Sequence, residues 1–345
     1  MTNLESLISI LDQDAEKILR NVSLKFLEGR KVVVTGASGI VGINLISAIS
    51  KHNEQYSKKR IQVYALTKSQ PKGVFKELLT RKYVNLLSMD LSELSDFSSI
   101  PKSDFIIHAA GYGQPGKFLE DKIKTISINS TVTINLSKRL KKGGSFLFIS
   151  SSEIYSGNTK KSYTEEEIGN TQPNHPRSCY IEGKRIGESI TSILREKKIH
   201  AVSARLALAY GPGVKKDDQR VLNELISKGL NGKISLLDAG EALRTYCYIT
   251  DVIEMLLLIL KKSKWPVYNV GGKSTLSIKE LALKIGRIMD VKVTIPKSKA
   301  YHGDAPKIVN LNLKRVEGEY NRSKYVDLDS GLNKTIAWIK LIHEK

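Results

Sequence analysis

The apolar run KVVVT at residues 31–35 ends directly in TGASGIVG, and a helix-forming stretch begins inside that glycine pattern. Gly36, Gly39 and Gly42 therefore stand at a strand-to-helix turn with GxxGxxG spacing. Each has its own reason to lack a side chain. The first permits a tight turn, the second lets backbone approach a pyrophosphate at the helix N-terminus, and the third permits close helix packing. Ser38 and Ile40 lie in the same turn and join the candidate set. A glycine pattern that follows a strand and opens a helix predicts a bound dinucleotide.

The chain continues in the alternation such a turn requires. Strand-like IQVYAL (61–66), YVNLLSM (83–89), DFIIHAA (104–110), SFLFIS (145–150) and HAVSARL (200–206) are separated by helices expected near 39–52, 118–141 and 176–197. This order predicts an α/β fold with a doubly wound parallel sheet and helices on both faces. Ahead of it, Leu4, Leu7, Ile8, Leu11, Ala15, Ile18, Leu19 and Val22 recur at three- and four-residue steps. They predict an amphipathic helix packed on the body of the fold, with a dimerisation arm as the alternative.

Past residue 207 the pattern loosens into short helices near 219–229, 250–262 and 277–289, between strand-like ISLL, TYCYI, VYNV and VKVTI. Thr250 or Asp251 is the expected N-cap of the second. The chain thus reads as an N-terminal helical extension (1–29), a dinucleotide-binding domain carrying the reactive residues (30–206), and a smaller mixed lobe, mainly for substrate (207–345). A cleft is expected at the carboxyl ends of the strands.

Two cysteines, Cys179 and Cys247, exclude a disulfide framework, and six histidines without ligand spacing predict no metal. The longest apolar run, Met255–Leu260, is far too short to span a bilayer, and the acidic start MTNLESLISILDQDAEK lacks a signal-peptide layout. A cytoplasmic protein without a membrane partner is expected. The formal charge of +20 is dispersed in lysine pairs such as 58–59, 141–142 and 215–216, without a basic helix or interleaved aromatics. That pattern predicts a solvated surface and no nucleic-acid partner.

Tyr180 and Lys184 are one helical turn apart, so phenol and ammonium share a face. A neighbouring cation favours the phenolate, which predicts Tyr180 as a general base with a lowered pKa. Ser151, at the end of a preceding strand, would hydrogen-bond the oxygen whose proton is taken. Cys179 beside Tyr180 reads as packing. The second strand ends in Thr67, Lys68 and Ser69 without an acid, which suits a 2′-phosphate and favours NADP over NAD, unless Lys68 simply points to solvent. Asp90 and Leu91 fall where adenine would be capped. Ala109, Ala110 and Gly111 leave room for ribose, and Asn129 completes the cofactor set.

Taken in order, TGASGIVG, MDL, HAAG, ISSSEIY, YIEGK and RLALAYGPG resemble the extended short-chain dehydrogenase/reductases of the NAD-dependent epimerase/dehydratase family, from about residue 28 to the end. EEEIGNTQPNHPRSCYIEGKRIGE is most similar to UDP-glucuronate decarboxylases. The resemblance implies a Rossmann-like fold, a tightly held NAD(P), oxidation of a nucleotide-diphosphate sugar at C4, and usually return of the hydride. It assigns the redox steps to Ser151, Tyr180 and Lys184, and action at C5 and C6 to Ser152 and Glu153. Arg244 matches a phosphate-binding arginine. Arg220 is a second diphosphate candidate, with a salt bridge as its alternative, and Arg177 and His175 are substrate-side candidates.

Four residues at three places depart from the pattern. Leu208 replaces an asparagine that contacts the sugar diphosphate, Asp304 and Ala305 stand before Pro306 where decarboxylases carry Arg-Lys, and Ser152 replaces the aspartate of dehydratases. Decarboxylation ranks first among net reactions, then 4-epimerisation, then NADPH-dependent 4-ketoreduction. The resemblance also implies a homodimer through the helices near 118–141 and 176–197. A non-catalytic dinucleotide- or RNA-binding protein is the reading from another class.

Overall fold

A computed structural model of the chain describes residues 2–56, 58–297 and 308–344. Its first large element is α1 (Asn3–Asn21), opened by a reciprocal cap in which Thr2 and Glu5 satisfy each other's backbone N–H. β1 (Lys31–Thr35) and α2 (Ile40–Gln55) follow, then β2 (Gln62–Thr67), α3 (Val74–Leu79), β3 (Val84–Ser88) and β4 (Ser103–His108). Next come α4 (Pro115–Glu120), α5 (Lys122–Asn129), α6 (Thr131–Ser137), β5 (Leu140–Ser151), α7 (Ser178–Glu196) and β6 (His200–Leu206). The remainder holds β7 (Leu208–Tyr210), α8 (Val221–Leu230), β8 (Lys233–Ser235), β9 (Leu243–Tyr248), α9 (Ile249–Lys261), β10 (Val267–Val270) and β11 (Ser274–Ser277). It closes with α10 (Ile278–Met289), β12 (Lys292–Thr294), β13 (Ile308–Val309), α11 (Lys314–Tyr320) and α12 (Leu328–His343).

Seven strands form one parallel sheet in the order β10-β6-β5-β4-β1-β2-β3. Val32, Val33 and Val34 of β1 are fully buried, as expected of a central strand covered on both faces. Strand order reverses between β1 and β4, and ligands bind such sheets at the carboxyl edge of that switch point. The doubly wound α/β expectation describes this sheet.

The second sheet centres on β9, which pairs with β7, β11 and β13, and a separate β8–β12 pair completes the lobe. Residues 207–345 do not all remain in that lobe. β10 adds the seventh strand to the large sheet beside β6, and α9 packs on β5 and β6. The N-terminal helix lies on the body of the fold, burying Leu7, Leu11, Ala15 and Ile18 among α2, α9 and α12. Its buried Asp14 accepts hydrogen bonds from Tyr248 and Lys334, each at 2.6 Å.

Several local expectations change. The single helix near 118–141 is three helices, because Asp121 accepts from Lys124 N to cap a fresh start and Ser130 leaves helical geometry before the β-branched run Thr131–Thr133. The strand near 145–150 begins earlier, at Leu140. Tyr248, not Thr250 or Asp251, is the N-cap of α9. Asp251 instead accepts from Arg322 at 2.5 Å and from the Val326 amide at 2.9 Å, so its carboxylate serves a tertiary contact. Among the described residues no helix is long and apolar enough to cross a membrane, and no group of histidines, cysteines and acids could hold a metal.

Candidate functional site

A cleft of about 570 Å³ opens at the carboxyl ends of β1, β4 and β5, between the sheet and residues 206–223. Its floor is the glycine turn. Gly36 has φ of +66°, and a Cβ there would lie 2.6 Å from the Ala109 carbonyl oxygen. A Cβ on Gly42 would lie 2.5 Å from the Gly36 carbonyl oxygen, so α2 meets the turn only without a side chain at that position. This backbone cradle at the start of a 16-residue helix fits a dinucleotide pyrophosphate. Ser38, Gly39 and Ile40 line it.

A hydrogen-bond chain shapes the adjoining turn. Ala110 N–H donates to Thr35 Oγ1 at 3.0 Å, Thr35 Oγ1 lies 2.7 Å from His108 Nδ1, and His108 Nε2 lies 2.9 Å from the Ile128 carbonyl. Because a carbonyl only accepts, Nε2 carries the ring proton and Nδ1 accepts from threonine. Complete burial keeps this imidazole neutral, its pKa lowered to about 3.

At the adenosine end, Thr67, Lys68, Asp90 and Leu91 line the cleft with Ala109, Ala110 and Gly111. Lys68 does not simply point to solvent: its ammonium lies 3.1 Å from Asp90 Oδ2 and donates to Tyr112 Oη at 3.2 Å. Asn129 is not in the cleft lining. It is fully buried, donating to Thr125 O at 2.8 Å and packing behind α7 against Gly183.

Ser151 at the end of β5 and Tyr180 and Lys184 on α7 converge on the centre of the cleft. The Ser151 hydroxyl accepts from Glu153 N at 3.2 Å and lines the cleft together with Tyr180. Lys184 Nζ donates to the Ile149 carbonyl at 2.8 Å and sits 5.7 Å from the Tyr180 ring centroid. The expected electrostatics change sign. Burial raises the phenol's pKa against the pull of Ser151, and burial lowers that of the Lys184 ammonium to about 7. Loss of water around both groups is the largest cause of each direction.

Ser152 and Glu153 also line the cleft, but Glu153 and Arg177 meet each other there. Arg177 Nη2 donates to Glu153 Oε1 at 2.7 Å and Nε to Oε2 at 3.2 Å. His175 lies outside the lining, its Nδ1 accepting from Arg177 N at 3.1 Å. Arg220 faces the cleft while forked onto Asp218 at 2.5–3.0 Å. Arg244 lines the far end beside Leu208 and Tyr246. Asp304, Ala305 and Pro306 lie outside the described residues.

Other site residues carried no local signal. Lys215, at the cleft rim, donates to Ser38 Oγ at 3.0 Å from a segment that reads as a solvated lysine pair. Phe118 stacks flat on Tyr180, with 4.7 Å between centroids and 13° between planes. Two contacts bridge the cleft mouth from α4 to the 217–219 loop: Lys117 to Asp217 at 2.8 Å, and Gln219 N to Gln114 Oε1 at 3.1 Å. Cys179 packs as expected, buried with its thiol 3.5 Å from Phe118 O.

Residues 32–271 match the model of the NAD dependent epimerase/dehydratase family. UDP-glucuronic acid decarboxylase 6 of Arabidopsis thaliana is 29% identical over 282 residues, covering 80% of this chain and 79% of that protein. UDP-glucuronic acid decarboxylase 1 of Xenopus tropicalis is 24% identical, covering 98% of this chain and 80% of the other. Among solved structures, UDP-glucuronic acid 4-epimerase from Bacillus cereus, in complex with UDP-glucuronic acid and NAD, superposes with a TM-score of 0.75 at 22% identity over 91% of this chain and all of the other. UDP-glucose 4-epimerase from Thermotoga maritima gives 0.76 at 20% identity over 91% of this chain and 100% of the other. At these identities the structural likeness concerns the fold.

Proposed function

The chain belongs to the NAD dependent epimerase/dehydratase family, and from that premise we propose that it is a nucleotide-sugar-modifying enzyme that oxidises the sugar at C4. The observation that carries this reading is the convergence of Ser151, Tyr180 and Lys184 in one cleft floored by the glycine turn. A nicotinamide dinucleotide held on that turn supplies the hydride acceptor. Ser151 orients the C4 hydroxyl, and Tyr180 takes its proton as the carbon is oxidised. Lys184, one turn along and with its ammonium charged, stabilises the phenolate that Tyr180 must be before it takes that proton and becomes a neutral phenol. Arg244 and Arg220 offer guanidinium forks toward a diphosphate.

Decarboxylation of UDP-glucuronate ranks first among net reactions, supported by relatives that carry that name. Asp304 and Ala305, at the place where the decarboxylase pattern has Arg-Lys, support 4-epimerisation or NADPH-dependent 4-ketoreduction as the second reading. For the cofactor, the Asp90 carboxylate 3.1 Å from Lys68 supports NAD over NADP, since it would repel a 2′-phosphate brought to that lysine. A homodimer is supported by Ile123, Ile134, Ile186 and Ile193, which remain 39–77% exposed on α5, α6 and α7.

Incubation with UDP-, dTDP-, GDP- and CDP-sugars plus NAD or NADP, read by mass spectrometry, tests the reading. Loss of carbon dioxide marks the first-ranked reaction, unchanged mass with sugar isomerisation an epimerase, and gain of two hydrogens a reductase. Absence of any product across the panel, with Tyr180→Phe leaving biological activity intact, overturns it.

A further inference from the structure

The Glu153–Arg177 pair joins two groups that the chain separates by 24 residues, and it meets the Tyr180 ring through a shared aromatic. The guanidinium carbon of Arg177 lies 5.0 Å from the centroid of Phe118, the ring that stacks on Tyr180. Arg177 also stands at the N-cap position of α7, with its side chain only 9% exposed, so backbone and aromatic contacts both restrict its fork. A two-point fork fixes the plane of a carboxylate as well as its charge.

We infer that Arg177 is a positioning residue, holding Glu153 as an oriented carboxylate in the cleft that Tyr180 lines and cancelling that carboxylate's field at Tyr180. The inference rests on the reading of Tyr180 as the base. It also bears on substrate class. A uronate carboxylate entering the cleft meets a neutral pair, where Glu153 alone would repel it. The groups facing Tyr180 are Glu153, which disfavours the phenolate, Ser151, Arg177 and Arg220, which favour it, and Lys184 one turn away, with Arg220 itself tied to Asp218. Removing either member of the pair therefore unbalances Tyr180, in opposite directions.

The test follows phenolate absorbance of the full chain with NAD against pH, each variant referenced to a Tyr180→Phe control in the same background. Arg177→Gln is expected to shift the Tyr180 transition alkaline by roughly one pH unit, Glu153→Gln to shift it acid by a similar amount, and the double variant to return close to the parent. Arg177→Lys keeps the charge without the fork. It is expected to leave the transition in place while lowering kcat on whichever nucleotide sugar is turned over. Circular dichroism and thermal melts report folding, and where Arg177→Gln does not fold, Glu153→Gln and Arg177→Lys carry the test. An unmoved transition in Glu153→Gln, or shifts of the same sign in both single variants, overturns the inference. The titration needs no turnover, so its failure is distinct from a blank substrate panel.

Discussion

Lys184, the lysine of the proposed redox site, is held at a cost to stability. Its ammonium is buried, donates to one carbonyl, and has its pKa lowered by burial to about 7. An unfolded lysine keeps its proton to about pH 10.4. Between those values the unfolded chain binds more protons, so stability rises with pH across this window, and below about pH 7 the full penalty applies. Lys184→Met is expected to stabilise the cofactor-free chain by on the order of 2–4 kcal/mol at pH 7, while abolishing catalysis. Thermal melts at pH 7 and pH 9 check this: the parent should gain with pH and the variant should not. Tyr180→Phe removes the proposed proton acceptor but keeps the ring that stacks on Phe118. A loss of about 10²-fold or more in kcat, with unchanged melting temperature and NAD affinity, is the expected result.

At the scale of elements, the decisive contact is between α2 and the turn that follows β1. The helix starts at Ile40 directly over the turn, close enough that a methyl on Gly42 would meet Gly36 O at 2.5 Å. Gly42→Ala must therefore lift the helix or twist the turn, at a cost of about 1–3 kcal/mol. Calorimetry should show weakened NAD binding together with a lower melting temperature, and a variant that binds NAD normally would show that the turn does not set cofactor affinity. The three short helices α4, α5 and α6 work differently. The break at Asp121, extended between the two helices, separates α4 from α5, and from α4 and its N-cap Phe118 reaches Tyr180 while Lys117 and Gln114 reach the 217–219 loop. A continuous helix over 118–141, as periodicity alone suggests, would make neither reach obvious.

Across the whole molecule, α1 and the C-terminal elements tie the lobes together. Asp14 on α1 binds Tyr248 at the end of β9 and Lys334 on α12, and β10 extends the first sheet after the chain has built β7, β8 and β9 elsewhere. The opposite flank leaves isoleucines bare on α5 to α7. Light scattering of the purified chain should give twice the monomer mass, and Ile123→Glu combined with Ile193→Glu should give the monomer with its fold retained; a monomeric parent would refute the dimer. What the sequence determined by itself was local: the glycine turn, the strand–helix alternation and the helical spacing of Tyr180 and Lys184, because turn chemistry and side-chain periodicity act over a few residues. Only the tertiary structure decided that Glu153 meets Arg177, that Lys68 stands beside Asp90, and that burial raises the Tyr180 pKa. Those outcomes depend on contacts between distant segments and on water excluded by the packed whole, and neither is written in any local pattern of residues.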